Sequence, residues 1–170
     1  ALKPLPNVWL GVSAENQERA DERIHDLLAT PAAVRFVSAE PLLGPIDFES
    51  ISHADGYGAS PCTGCGGDVT INALEGYTSC HEGCDGPTFT KLDWVLVGGE
   101  SGPGARPCDV SWVRSIKDQC QSAGVPVFVK QLGAKPTQRT IYGPAVGNEA
   151  APIHDEPLRL KDKKGGDPAE

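Results

Sequence analysis

Apolar residues in this chain gather into four short blocks, with two stretches of helical period between them. Val8-Trp9-Leu10-Gly11-Val12 is an apolar run after Pro4 and Pro6 and predicts a buried strand. Ala20, Ile24, Leu27 and Leu28 then recur at i, i+4, i+7 and i+8, which places them on one face of a helix. Asn16 is suited to cap that helix and Pro31 to end it. Val34 to Ser38 reads as a second strand, Trp94 to Val97 as a third and Val125 to Val129 as a fourth. Between the last two, Val113, Ile116 and Cys120 share a helical face, with Asp109 or Ser111 as cap and Gly124 as stop. Trp9, Trp94 and Trp112 read as core or helix-face anchors.

Strand, helix, strand, interruption, strand, helix, strand is a parallel α/β order. Strands apolar on both faces call for cover on both sides. A closed parallel barrel takes about eight strands, so four predict a partial, half TIM-like β/α barrel. Residues 1–48 and 91–135 would form it, 49–90 a small metal-binding insertion, and 136–170 a loop-rich arm. Such a half-barrel leaves two open sheet edges, which invite self-association or a missing half supplied by another chain.

The insertion holds the strongest chemical signal. Cys62-x-x-Cys65 and Cys80-x-x-x-Cys84 are two tight pairs separated by about fourteen residues, the spacing of a four-thiolate zinc ribbon. Val69 and Ile71 alternate with polar neighbours and Gly76 offers a turn, so a hairpin is expected between the pairs. Four protein ligands leave no open position, which makes a structural zinc the reading. Disulfides would need an oxidising compartment and a signal segment, and no such segment is present. His81 sits beside the site, and Cys120 packs on a helix face as a small hydrophobe.

Composition removes several classes. The net charge of -8 argues against a passive nucleic-acid coat, whose affinity rests on Lys and Arg. No apolar run approaches about 18 residues, so no membrane-spanning helix is expected. Methionine is absent, position 1 included, so the chain is read as a processed product or a fragment. No Ser–His–Asp or His-x-x-x-His constellation supports a hydrolase or metalloprotease.

In parallel β/α folds, binding groups collect at the carboxyl ends of strands. The four predicted ends carry Glu15 with Asn16, Glu40, Glu100, and Lys130 with Gln131. Glu15, Glu40, Glu100 and Lys130 are therefore the catalytic candidates: carboxylates to accept from an amine or hydroxyl, and an ammonium to meet an anion or a neighbouring Glu. Asn16, Gly98, Gly99, Glu100, Arg106 and Gln131 are candidate ligand contacts, with Arg106 as an anion binder after the glycine-rich turn.

The segments PNVWLGVSAENQ, VRFVSAEPLLGPID, DWVLVGGESGPGARP, WVRSIKDQCQSAGVPVFVKQLG and LKDKKGGDPAE resemble the C-terminal half of the phage three-cysteine-motif proteins. That resemblance implies complete barrels related to radical S-adenosylmethionine (SAM) enzymes, in the cytoplasm of a bacterial host. It also implies an N-terminal cysteine motif for an iron–sulfur cluster, which this chain lacks. SAM and the cluster are accordingly expected only in a full-length protein. Gly98-Gly99-Glu100 is similar to the element that grips the SAM amino group, though on a later strand. Two functions follow as expectations. One is the substrate side of a phage-encoded barrel enzyme, with a nucleotide or nucleic-acid substrate suggested by phage context. The other is a zinc-stapled module without catalysis of its own, which binds a protein partner.

Overall fold

The computed structural model describes residues 4–52, 70–79, 91–141 and 153–157. In chain order the elements are β1 (Trp9–Ser13), α1 (Gln17–Ala29), β2 (Val34–Ala39), β3 (Ile51–Ser52), β4 (Thr70–Asn72), β5 (Tyr77–Ser79), β6 (Trp94–Gly98), β7 (Cys108–Asp109), α2 (Val110–Ser122), β8 (Val127–Gln131), β9 (Pro136–Ile141) and β10 (Ile153–Pro157).

Four of the strands form one sheet in the order β1-β2-β6-β8, every pair parallel. Spatial order thus follows chain order, as successive right-handed crossovers on one side of a sheet produce. The fold is α/β, as expected. The described strands make an open sheet rather than a barrel, and its outer edges, at β1 and β8, have no strand beside them among the described residues.

Both helices form where the periodicity placed them. Ala20, Ile24, Leu27 and Leu28 of α1 are buried, as are Val113, Ile116 and Cys120 of α2. The Asn16 side chain accepts from the Arg19 amide, satisfying one of the donors that a helix start leaves open. Asp109 does the same for Ser111, and Gly124 follows α2 with φ +66, the left-handed region that favours glycine.

The helices cover one sheet face. Val37, Ala39, Val95 and Val97 point into that layer and are fully buried. The cover is completed by the expected hairpin, β4 and β5, with an added short strand: β3, β4 and β5 form a small antiparallel sheet within the β2-to-β6 connection. Ile51, Ile71, Ala73 and Leu74 from this sheet and its turn belong to the same core as α1 and α2. A parallel crossover usually uses a helix for this job; here a hairpin and a third short strand do it. The expected hairpin turn is present, with Gly76 at φ +79. The sequence-based division at residue 49 therefore does not separate two cores. Cys62, Cys65, Cys80 and Cys84, with the zinc ribbon expected of them, lie outside the described residues.

The opposite sheet face is not covered by any helix or strand among the described residues. Trp9 is 54% exposed and Phe128 52%, so Trp9 is no core anchor. Trp9 meets Trp94 edge to face at 5.7 Å, and Phe36 leans on Trp94 at 6.5 Å. Beyond Lys135 the predicted loops are replaced by strands. β9 pairs in parallel with β7 and antiparallel with β10, which ties the arm to the start of α2.

Candidate functional site

The carboxyl ends of β1, β2, β6 and β8 converge, and each chemical residue expected there is present. Two short backbone links hold the rim together: the Leu42 amide donates to the Gly98 carbonyl at 2.8 Å, and the Leu43 amide to the Glu15 carbonyl at 2.7 Å. The segment after Glu40 is also gripped by both helices. Gln17 pairs its side-chain amide with the Asp47 backbone, and Gln119 bridges Ile46 and Phe48. Strand ends of this kind can hold side chains in place before a ligand arrives, which is where a binding group gains most.

Glu40 sits at the centre of the first cluster. Lys130 Nζ donates to Glu40 Oε1 at 3.1 Å and Oε2 at 3.3 Å, and Gln131 Nε2 reaches Oε1 at 3.4 Å. Gly98 lies beneath: a Cβ there would stand 2.9 Å from the Glu40 carboxyl carbon. The glycine is thus needed for the carboxylate to lie across β6 toward β8. Lys130 is half exposed and its pair with Glu40 is a single ammonium contact, the type that contributes little stability and exchanges readily.

Glu100 is held differently. Arg106 Nε and Nη2 donate to its two oxygens at 2.8 and 3.0 Å, and the Arg106 backbone amide adds a third bond at 2.8 Å. This fork-to-fork geometry is the strong form of a charge-assisted pair. The Arg106 side chain, then its backbone amide, hold the Glu100 carboxyl down to about 2, with Lys135 adding a weaker pull. The Glu100 hydrogen bond likewise raises Arg106 above its ordinary value, and Glu15 contributes to the same field. Gly102 and Gly104, both at positive φ, allow the loop to turn back so that residue 106 reaches residue 100.

Glu15 takes Arg23 as its partner at 3.3 Å, and Arg23 also donates to the Ser13 carbonyl at 2.9 Å. Arg23 was missed in the sequence, because a salt bridge from a strand end to the second turn of the next helix has no local spacing rule. Asn16 is engaged as the α1 cap rather than turned toward the rim. The three carboxylates Glu15, Glu40 and Glu100 are therefore each matched by a cation, Arg23, Lys130 and Arg106. Lys130 pairs with Glu40, not with Glu100.

This arrangement assigns different abilities to the candidates. Glu100 is too acidic and too firmly bound to exchange protons near neutrality. Glu40 is held by longer contacts, at 3.1 to 3.4 Å, than Glu100.

Among the described residues none fits the redox groups that the resemblance implies. Cys108 and Cys120 are buried, and burial pushes each thiol up to about 11, away from the thiolate an iron–sulfur cluster requires. Among the described residues no group of three or more His, Cys, Asp or Glu is placed to hold a metal ion. The Gly98-Gly99-Glu100 triplet is engaged internally: the Gly99 amide donates to the Gln131 carbonyl at 2.9 Å, and Glu100 is clamped by Arg106. No described helix is long and apolar enough to cross a membrane.

A family model described as "Protein of unknown function (DUF5131)" covers residues 1–164. No curated protein and no solved structure matches.

Proposed function

The chain belongs to this DUF5131 family of proteins of unknown function, and we propose that it is the substrate-side part of a β/α-barrel enzyme that binds its ligand at the carboxyl edge of the parallel sheet. The observation that carries this reading is the Glu40–Lys130–Gln131 cluster. Its members are 90 residues apart in sequence and are brought together only by the strand order. Such an assembly at strand carboxyl ends is where parallel β/α folds place their chemistry.

The ligand class follows from the pair that must be opened. It carries an amine-type donor for Glu40 and an anion for Lys130, a description that a nucleotide meets with its exocyclic amino group and its phosphate. Glu40 accepts from the amine-type donor, Lys130 orients the anion, and the Glu100–Arg106 clamp fixes the loop beside them. Thermal-shift measurements with a panel of adenine and cytosine nucleotides test this. We expect a raised midpoint for the native protein and none for Glu40→Gln or Lys130→Ala, whose own midpoints stay near that of the native protein. A nucleotide-dependent shift retained in both variants would remove the site, and no shift in the native protein would remove nucleotides as ligands.

A second reading is a zinc-stapled interaction module. It is favoured by the burial of Ile51, Ile71 and Leu74, which anchors the root of the cysteine-bearing segment in the core. The cysteine spacing supports one structural zinc per chain, held by Cys62, Cys65, Cys80 and Cys84. Metal analysis is expected to give one zinc per chain, lost in Cys65→Ser. A value near zero in fully reduced protein would end that assignment.

A further inference from the structure

Glu15, Glu40 and Glu100 each hold a cation on the carboxyl rim, Arg23, Lys130 and Arg106. Lys135 stands beside the last of these pairs, is exposed, and has no ion-pair partner among the described residues. Backbone contacts set its place. The Ala134 amide donates to the Glu100 carbonyl at 2.8 Å, and the Cys108 amide to the Lys135 carbonyl at 3.0 Å. Consecutive residues 134 and 135 thus staple both feet of the loop that runs from Glu100 to Cys108 and carries Arg106. Gly133, at φ +80, permits this approach, since a Cβ there would stand 2.6 Å from the Glu100 carbonyl oxygen. Lys135 is therefore in electrostatic reach of the Glu100 carboxyl, which it helps to keep ionised. Asp109, at the far foot of the loop, is buried and spends its side chain on the start of α2.

We propose that Lys135 and the outer edge of Arg106 form a subsite for a phosphoryl group beside Glu100, separate from the Glu40–Lys130 pair. A guanidinium has more N–H donors than one carboxylate can take. Arg106 spends Nε and one N–H of Nη2 on the Glu100 oxygens, so Nη1 and the other N–H of Nη2 have no acceptor among the described residues. Glu100 fixes the plane of the guanidinium and so aims that edge before a ligand arrives, which lowers the ordering cost of binding. The Glu100–Arg106 pair is neutral, and Lys135 leaves the subsite with a net positive charge. Glu15 also acts on Arg106, but it is itself held by Arg23. The donors select the shape of the anion. A carboxylate would have both oxygens occupied by the Arg106 edge, whereas a phosphoryl group keeps a further oxygen for Lys135. The subsite rests on charge and backbone geometry at Glu100, and stands whether or not an amine-bearing ligand opens the Glu40–Lys130 pair.

Titration of the isotope-labelled native protein with inorganic phosphate and with methyl phosphate, at ionic strength held constant with sodium chloride, tests it by NMR. The Arg106 side-chain N–H signals should shift along a saturable curve with both, and stay in place when acetate is added over the same range. Lys135→Ala should weaken phosphate binding by roughly tenfold or more, the loss of one charge-assisted contact, while its unfolding midpoint in phosphate-free buffer stays that of the native protein. Absence of a saturable shift with either phosphate in the native protein would overturn the proposal, as would an equal response to acetate. Undiminished binding in Lys135→Ala would overturn it too. Loss of phosphate binding in Lys130→Ala rather than in Lys135→Ala would place the anion at the Glu40 pair and count against this subsite. Nucleotides that fail to bind at Glu40 would leave the phosphate titration unchanged, so the two readings fail separately.

Discussion

At the carboxyl end of the open sheet face, Gly99 and Gly133 permit backbone contacts that a Cβ would forbid, whereas at the amino end Gly11 only makes room for the ring of Phe36. A Cβ on Gly99 would overlap the Leu132 carbonyl and lie 2.9 Å from the Gly133 amide, so neither neighbour can step aside without moving the chain. On Gly11 the obstacle is the far end of one side chain, the half-buried Phe36 ring that leans on Trp94. The rim is packed and hydrogen-bonded before any ligand arrives, and the aromatic floor is not. Backbone contacts therefore fix the rim, while among the described residues the aromatic floor is held by ring contacts.

The largest expected effect is at the rim. Gly99→Ala should destabilise the protein by roughly 1–3 kcal/mol or more, the cost of overpacking against atoms that cannot relax. Denaturant unfolding would measure it, and a near-native midpoint would show that the rim is softer than its contacts indicate. Gly11→Ala should be much milder, within about 1 kcal/mol of the native protein, because the loss of unfolded-state freedom offsets the displacement of Phe36. A cost equal to that at Gly99 would mean that Phe36 has no space to move into, which is the outcome a covered floor produces.

The smallest effect concerns charge. The Glu100 pKa is depressed in the folded state, so its stabilising contribution is present above the ordinary carboxylate value of 4.5 and is lost as the pH falls through about 2. Carboxyl chemical shifts followed by NMR should show Glu100 still ionised at pH 4. Titration near the ordinary value would show that the Arg106 clamp is open in solution.

The main sheet and both helices were legible because their residues carry period and caps that act locally. Ala20, Ile24, Leu27 and Leu28 are buried where a 3.6-residue repeat places them. β9 was not legible, since Pro136-Thr137-Gln138-Arg139-Thr140-Ile141 has little apolar content and its pairing with β7 and β10 is long-range. At the site, the strand-end rule located Glu15, Glu40, Glu100 and Lys130. Their partners were harder to foresee, because Arg23 and the Glu40–Lys130 match depend on three-dimensional register. Arg106 was named as a binder of external anions, and in the structure its anion is Glu100.

One consequence of the β3-β4-β5 sheet concerns protein engineering. Because Ile51, Ile71 and Leu74 serve as roof beams over the same interior that α1 and α2 shelter, residues 49–90 cannot be pruned to a short linker as a decorative loop could. Any minimal version of this chain must keep those beams or substitute a helix for them, and whatever the cysteine-bearing stretches hold is mounted on a fixed base.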